Sequence, residues 1–299
     1  MPPPPPPPCR RRRRWRTTLG AAAAVAAAAA ALVAAAAPTP VGARLSGDAF
    51  LASLPPDPRT RGDTHGGPGA SLPVAPLPGA GVAAVRGRPA AVVVLHGSAS
   101  SGPETLNVVR ALLLLTFRIR AYTHWVAPTA VGVDGATGSW FGSTRNASAP
   151  GGRSFDGPTL SAAAARIEAI VANERARGVP RARVAVVGFS QGGALALEVG
   201  RRLGQSGGGG PLAGWVVGAG FVADVGRWEG VTGLRGRLLM LHGADDAVVP
   251  LAAARESAAV VAAAGWNVTL EVLPNEGHVI TSPSAVGQAL AFLSEVLPP

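Results

Sequence analysis

Val184-Ala185-Val186-Val187-Gly188-Phe189-Ser190-Gln191-Gly192-Gly193-Ala194 is a short apolar run, a G-x-S-x-G pentapeptide and a stretch of small residues that opens a helix. Four apolar residues without polar alternation suit a strand buried on both faces. G-x-S-x-G between such a strand and a helix is the pattern of a nucleophile elbow, a sharp turn that lifts a serine hydroxyl clear of the sheet. The residues two before and two after the serine must be small, because larger ones would strike the strand or the helix. Gly188 and Gly192 meet that demand, and Gly193 adds room. A glycine-rich strand–helix turn without chemistry is the plainer alternative, so the rest of the chain must supply partners for Ser190.

Outward from the elbow the same rhythm repeats. Ala91–Leu95, Trp125–Ala127, Trp215–Val217, Arg237–Leu241 and Val268–Leu273 read as further strands. Helices are expected over Glu104–Ile119, Thr159–Arg177, Gly192–Leu203, Leu251–Ala264 and Ser284–Leu297. In the second of these Leu160, Ala164, Ile167, Ile170 and Val171 recur at helical spacing, and Gly178 follows as a stop. Residues 128–157 are rich in Gly, Ser, Thr and Asn and read as an irregular excursion. Apolar strands alternating with helices predict an α/β fold, a mostly parallel sheet covered by helices on both faces, in one domain over 89–299. Right-handed crossovers then put the loops that carry chemistry at the carboxyl ends of the strands.

A serine hydroxyl attacks only when a base removes its proton, and the base needs an acid to fix its tautomer. In an elbow-bearing fold the chain order is Ser, then Asp or Glu, then His, each on a loop after a strand. Asp246 follows Arg237–Leu241, and His278, the last of five histidines, follows Val268–Leu273. Asp245 adjoins Asp246 and competes with it for the same role. An oxyanion hole needs two backbone N–H groups, one on the residue after the nucleophile, Gln191, and one on the loop after an early strand, where Ser98 is the candidate. His96 and His242 each close a strand within Leu-His-Gly and read as loop-ordering residues.

Leu95-His96-Gly97, Ser139-Trp140-Phe141, Gly188-Phe189-Ser190-Gln191-Gly192-Gly193-Ala194, His242-Gly243-x-x-Asp246-x-x-Val249-Pro250 and Gly277-His278 resemble the phospholipase/carboxylesterase family that includes the acyl-protein thioesterases. The resemblance covers about residues 90–299. It implies an α/β-hydrolase fold, Ser190 as nucleophile, Asp246 rather than Asp245 as the orienting acid, His278 as base, and Ser98 and Gln191 as oxyanion donors. It also implies that an acyl chain lies beside Trp140 and Phe141, that no cofactor or metal is used, and that substrates are carboxylic esters or acyl thioesters, including lipidated proteins and lysophospholipids. The first loop, Leu-His-Gly-Ser-Ala-Ser-Ser-Gly, departs from the family's L-H-G-L-G-D-x-G, and Gly142 replaces the acid of its S-W-F-D.

The 299 residues carry a net charge of +10 with one cysteine, Cys9, and no lysine. Schiff-base chemistry, a lysine-bearing phosphate loop and an intramolecular disulfide are thereby excluded. Six arginines precede an apolar run from Leu19 to Ala37, so the basicity concentrates in a leader and no basic, aromatic-laced face for nucleic acid is visible. Residues 1–43 read as a secretory signal cut before Arg44, or as an anchor that associates with a membrane through 19–37. An organelle transit peptide or an uncleaved cytoplasmic tail are the alternatives. Residues 44–88 read as a Pro/Gly/Ala-rich linker with one edge strand near Val82–Val85. Pro2–Pro8, Arg61-Gly62-Asp63 and the sequons at Asn146 and Asn267 are best explained by composition or chance.

Gly218-Ala219-Gly220-Phe221-Val222-Ala223 fits a dinucleotide fingerprint but lacks the acidic residue about 20 positions on. The histidines show no metal-binding spacing. The rival from another class is a non-catalytic hydrolase-like module that binds lipid or a partner.

Overall fold

The computed structural model describes residues 60–63, 89–113, 122–130, 138–145, 153–207 and 210–299. Seven strands form one sheet: β1 (Thr60–Asp63), β2 (Ala90–Leu95), β3 (Thr123–Pro128), β6 (Val184–Phe189), β7 (Gly214–Gly218), β8 (Arg237–Gly243) and β9 (Asn267–Leu273). Their order is β1-β3-β2-β6-β7-β8-β9, and every neighbouring pair is parallel. All carboxyl ends therefore share one edge, which brings the loops after β2, β6, β8 and β9 together. The helices are α1 (Gly102–Leu113), α2 (Gly157–Ala176), α3 (Gln191–Gln205), α4 (Leu251–Ala263) and α5 (Pro283–Val296).

The continuous apolar strands reflect burial on both faces. Along β2, Ala91, Val93 and Leu95 join the core under α2, α3 and α4, while Ala90, Val92 and Val94 join a second core under α1 and α5. Leu160, Ile167 and Leu195 are wholly enclosed on the first side, where truncating such a side chain to alanine costs about 2–5 kcal/mol. Helix α3 is the most enclosed, with Gln191 through Gly200 buried without a break. Helix α2 begins where the Asp156 carboxylate accepts the Thr159 N–H at 3.1 Å, with Pro158 in its first turn. It stops before Gly178, whose φ of +91° is open only to glycine at low cost. The chain after α5 is tied back to the sheet: the Tyr122 hydroxyl donates to Leu297 O at 2.5 Å, and the Arg183 guanidinium donates to Pro298 O.

The α/β architecture expected from the sequence is the one observed, with three differences. The segment read as a linker contributes β1, which pairs with β3 from Thr60↔Trp125 to Asp63↔Pro128. Thr-Arg-Gly-Asp has no apolar run, so this strand leaves no hydrophobic signature in the sequence. The excursion at 128–157 contains a small antiparallel pair, β4 (Ser143–Arg145) with β5 (Arg153–Phe155). The helix expected to reach Ile119 is described only to Leu113. The leader, the strand near Val82–Val85 and the sequon at Asn146 lie outside the described residues. No helix among the described residues is long and apolar enough to cross a membrane.

Candidate active site

Ser190 occupies the turn between β6 and α3 with φ 52° and ψ −118°, a conformation that costs a non-glycine residue about 1–3 kcal/mol. The surroundings hold it there. Its N–H donates to Gly218 O at 2.9 Å, and its carbonyl accepts the Ala194 N–H at 3.0 Å as the first bond of α3. The small residues are required by contact: a Cβ on Gly188 would sit 2.4 Å from Gly192 O, and one on Gly192 would sit 2.3 Å from Leu95 O. Those atoms are backbone and cannot swing away.

His278, after β9, places Nε2 2.9 Å from Ser190 Oγ and Nδ1 2.8 Å from Asp246 Oδ2. A carboxylate only accepts, so Nδ1 carries the hydrogen and the Nε2 lone pair faces the serine hydroxyl. The other Asp246 oxygen, Oδ1, accepts the N–H groups of Val248 at 2.9 Å and Val249 at 2.8 Å, which fixes the rotation of the carboxylate. Asp245 is exposed; its backbone N–H donates to Glu276 O at 3.0 Å, and this bond ties the Asp246 loop to the His278 loop. The two loops also meet at Gly243, where a Cβ would lie 2.3 Å from the carbonyls of Glu276 and Gly277.

A second imidazole reaches the same carboxylate. His242 is fully buried, with Nε2 2.8 Å from Val249 O and 3.3 Å from Asp246 Oδ2. Both neighbours are acceptors, so this nitrogen is the donor. Its Nδ1 has no hydrogen-bond partner among the described residues. The loop-ordering role expected for His242 is visible in the bond to Val249; its approach to Asp246 carried no sequence signal beyond the i, i+4 spacing.

The first loop runs along the elbow. A Cβ on Gly97 would stand 2.9 Å from the Phe189 ring and 3.5 Å from Ser190 Cβ, so the loop that carries Ser98 passes close to the elbow at Gly97. Ser98 is exposed, and Ala99 takes a left-handed φ of 63° with its N–H bonded to Gly138 O at 3.0 Å. Gln191 is the first residue of α3, where N–H groups have no intrahelical acceptor. The loop is braced by His96, whose Nε2 accepts the Ala130 N–H at 3.0 Å and whose Nδ1 is 2.7 Å from Gly97 O. Burial holds His96 below the ordinary imidazole range; the Gly97 carbonyl opposes that shift without overcoming it.

Trp140 and Phe141 correct an expectation. They do not present a surface to an acyl chain, because both rings are buried and Phe141 is wholly enclosed. The Trp140 indole stacks 4.7 Å from the His96 ring and donates to His96 O at 2.8 Å. Gln191 completes the brace: its Oε1 accepts the Trp140 N–H at 2.9 Å and its Nε2 donates to Phe141 O at 2.8 Å. The sequence singled out the Gln191 backbone; its side chain locks the Ser139–Phe141 segment against the elbow.

Gly218-Ala219-Gly220 serves packing. A Cβ on Gly220 would lie 2.4 Å from a Val217 methyl and 3.1 Å from Gly193 Cα, and the chain continues without opening an α-helix. No group of three or more potential metal ligands occurs among the described residues. What the arrangement offers is a hydroxyl, an imidazole oriented toward it and a helix that begins at Gln191.

A family model described as phospholipase/carboxylesterase matches residues 80–297. A probable carboxylesterase of Oryza sativa subsp. japonica is 28% identical over 197 residues, covering 64% of this chain and 71% of that protein. Acyl-protein thioesterase 1 of Gibberella zeae is 29% identical over 131 residues, covering 44% of this chain and 55% of the relative. The crystal structure of Arabidopsis thaliana SOBER1 superposes with a TM-score of 0.59 at 22% identity, over 70% of this chain and 99% of that one.

Proposed function

This chain belongs to the phospholipase/carboxylesterase family of α/β-hydrolases and is an ester or thioester hydrolase; from that premise we propose that it works through a Ser190–His278–Asp246 triad and an acyl-enzyme. The observation that carries this reading is the continuous hydrogen-bond chain from Ser190 Oγ through both nitrogens of His278 to Asp246. As the hydroxyl oxygen attacks the substrate carbonyl carbon, its proton passes to His278 Nε2. Asp246 holds the tautomer and stabilises the imidazolium that forms. Charge developing on the carbonyl oxygen is met by the N–H groups of Ser98 and Gln191, and such donors are worth roughly 3 kcal/mol each in related sites.

The proton on Nε2 then goes to the departing alcohol or thiol, the C–O or C–S bond breaks, and the acyl group remains on Ser190. A water molecule, deprotonated by the same nitrogen, attacks the acyl carbon, and return of the proton to Ser190 releases the carboxylic acid. Lipidated proteins and lysophospholipids extend the substrate range on family grounds. The arginine-rich leader extends the reading to a secreted or membrane-anchored enzyme.

A fluorophosphonate probe tests the chemistry, because it bonds irreversibly to an activated serine and leaves an ordinary hydroxyl alone. Wild type is expected to label and to hydrolyse short-chain esters; Ser190→Ala is expected to do neither while keeping its circular-dichroism spectrum. Equal labelling of both proteins would remove Ser190 as nucleophile.

A further inference from the structure

We infer that the leaving-group half of the substrate rests on an apolar shelf made by Val248 and Val279, so that apolar surface next to the ester or thioester bond in the alcohol or thiol raises kcat/KM. The inference rests on the triad assigned above. Val248 is 67% exposed and Val279 43%, and they are the large hydrophobic side chains left exposed among the described residues. Single exposed valines are ordinary. Here the two sit on separate loops, one two residues after Asp246 and the other one residue after His278, and those loops are joined by the Asp245 N–H to Glu276 O bond. Ala247 and Pro250, also exposed, continue the same apolar character, with Asp245 the one charge among the exposed residues of 244–250.

Proton transfer decides which half of the substrate meets this surface. The tetrahedral carbon carries Ser190 Oγ, the oxyanion, the leaving atom and the acyl carbon. The oxyanion points to Ser98 and Gln191. The leaving atom must come within hydrogen-bond reach of His278 Nε2 to collect its proton. It therefore departs over the loop that bears His278 and Val279, and the acyl carbon is directed away from it. The exposed valines, on the loops that carry Asp246 and His278, are thereby assigned to the alcohol or thiol and not to the acyl chain.

Two ester series separate these halves: butyrates of ethanol through hexanol, and ethyl esters of acetate through hexanoate. A methylene fully withdrawn from water raises kcat/KM about fourfold, and one covered on a single side about twofold. Wild type is expected to gain about 16-fold from ethyl to hexyl butyrate. The double variant Val248→Ser/Val279→Ser, changed only at exposed side chains, is expected to keep less than about a fourfold gain, with its preference along the acyl series the same as wild type. A flat wild-type alcohol series, an unaltered alcohol series in the variant, or a change confined to the acyl series would each overturn the shelf while leaving the hydrolase standing. Failure of every ester, with no probe labelling, would overturn the triad and the shelf together.

Discussion

Replacing Asp246 by asparagine should leave the shape of the site intact and reverse the direction of one hydrogen bond. Oδ1 already accepts two N–H groups, from Val248 and Val249, so the amide oxygen of the variant must take that position. Its NH₂ then falls where Oδ2 was, 2.8 Å from His278 Nδ1. An amide donor there forces Nδ1 to accept, moves the ring hydrogen to Nε2, and turns the base toward Ser190 as a donor. The same NH₂ also faces His242 Nε2, a donor engaged with Val249 O, which removes any gain from relaxation. Tautomer inversion of this kind lowers turnover about 10⁴-fold, which corresponds to about 5.4 kcal/mol of transition-state stabilisation. Asp245→Asn, on an exposed side chain, should change turnover less than about tenfold. The assay is kcat/KM on a short-chain ester for both purified variants, with thermal denaturation to show that each is folded. A loss below about 100-fold in Asp246→Asn, or a larger loss in Asp245→Asn, would refute the tautomer argument.

Gly192→Ala should fail by collision, since the added methyl meets two main-chain carbonyls, Leu95 O at 2.3 Å and His96 O at 2.4 Å; loss of soluble protein or a Tm lowered by well over 5 °C is expected, and a native Tm would contradict the packing described. His96 gives a pH signature. Its folded pKa is depressed by burial, so the stability it contributes is fully present above the unfolded value of about 6.5 and is lost as pH falls through the folded value. Tm measured from pH 7.5 downward should therefore fall more steeply below about 6.5 in wild type than in His96→Asn, and parallel curves would count against it.

The parts of the fold that bury apolar surface were legible in the chain, because burial on two faces writes itself as unbroken runs such as Val184–Val187. The serine, aspartate and histidine were legible through their order and their places after strands. The register His-Gly-x-x-Asp also separated Asp246 from Asp245, a distinction that the hydrogen bonds reproduce. What stayed hidden was structure carried by backbone or by polar side chains. Strand β1 is Thr-Arg-Gly-Asp, which pairs with β3 without an apolar run to mark it. The Gln191 amide and the backbone N–H of Trp140 meet across 51 residues, and no local period announces such a contact. Aromatic residues next to a site also read equally well as lining or as bracing, and burial decides for bracing at Phe141.

The spacing of the site has a consequence for how the protein comes into being. Ser190 lies 88 residues before the imidazole that faces it, and His278 lies beyond β9, the strand at the sheet's far edge. During synthesis the elbow can be made and packed against β2 and β7 while His278 is still inside the ribosome. Until β8 and β9 have paired and their loops have met at Gly243, the serine is an ordinary alcohol in an unusual conformation. Long-range pairings of this kind are the slow steps of folding, because the loop must close before the contact rewards it. With the proposed triad, reactivity belongs to the finished sheet and not to the elbow, and a nascent or partly opened chain carries no working hydrolase.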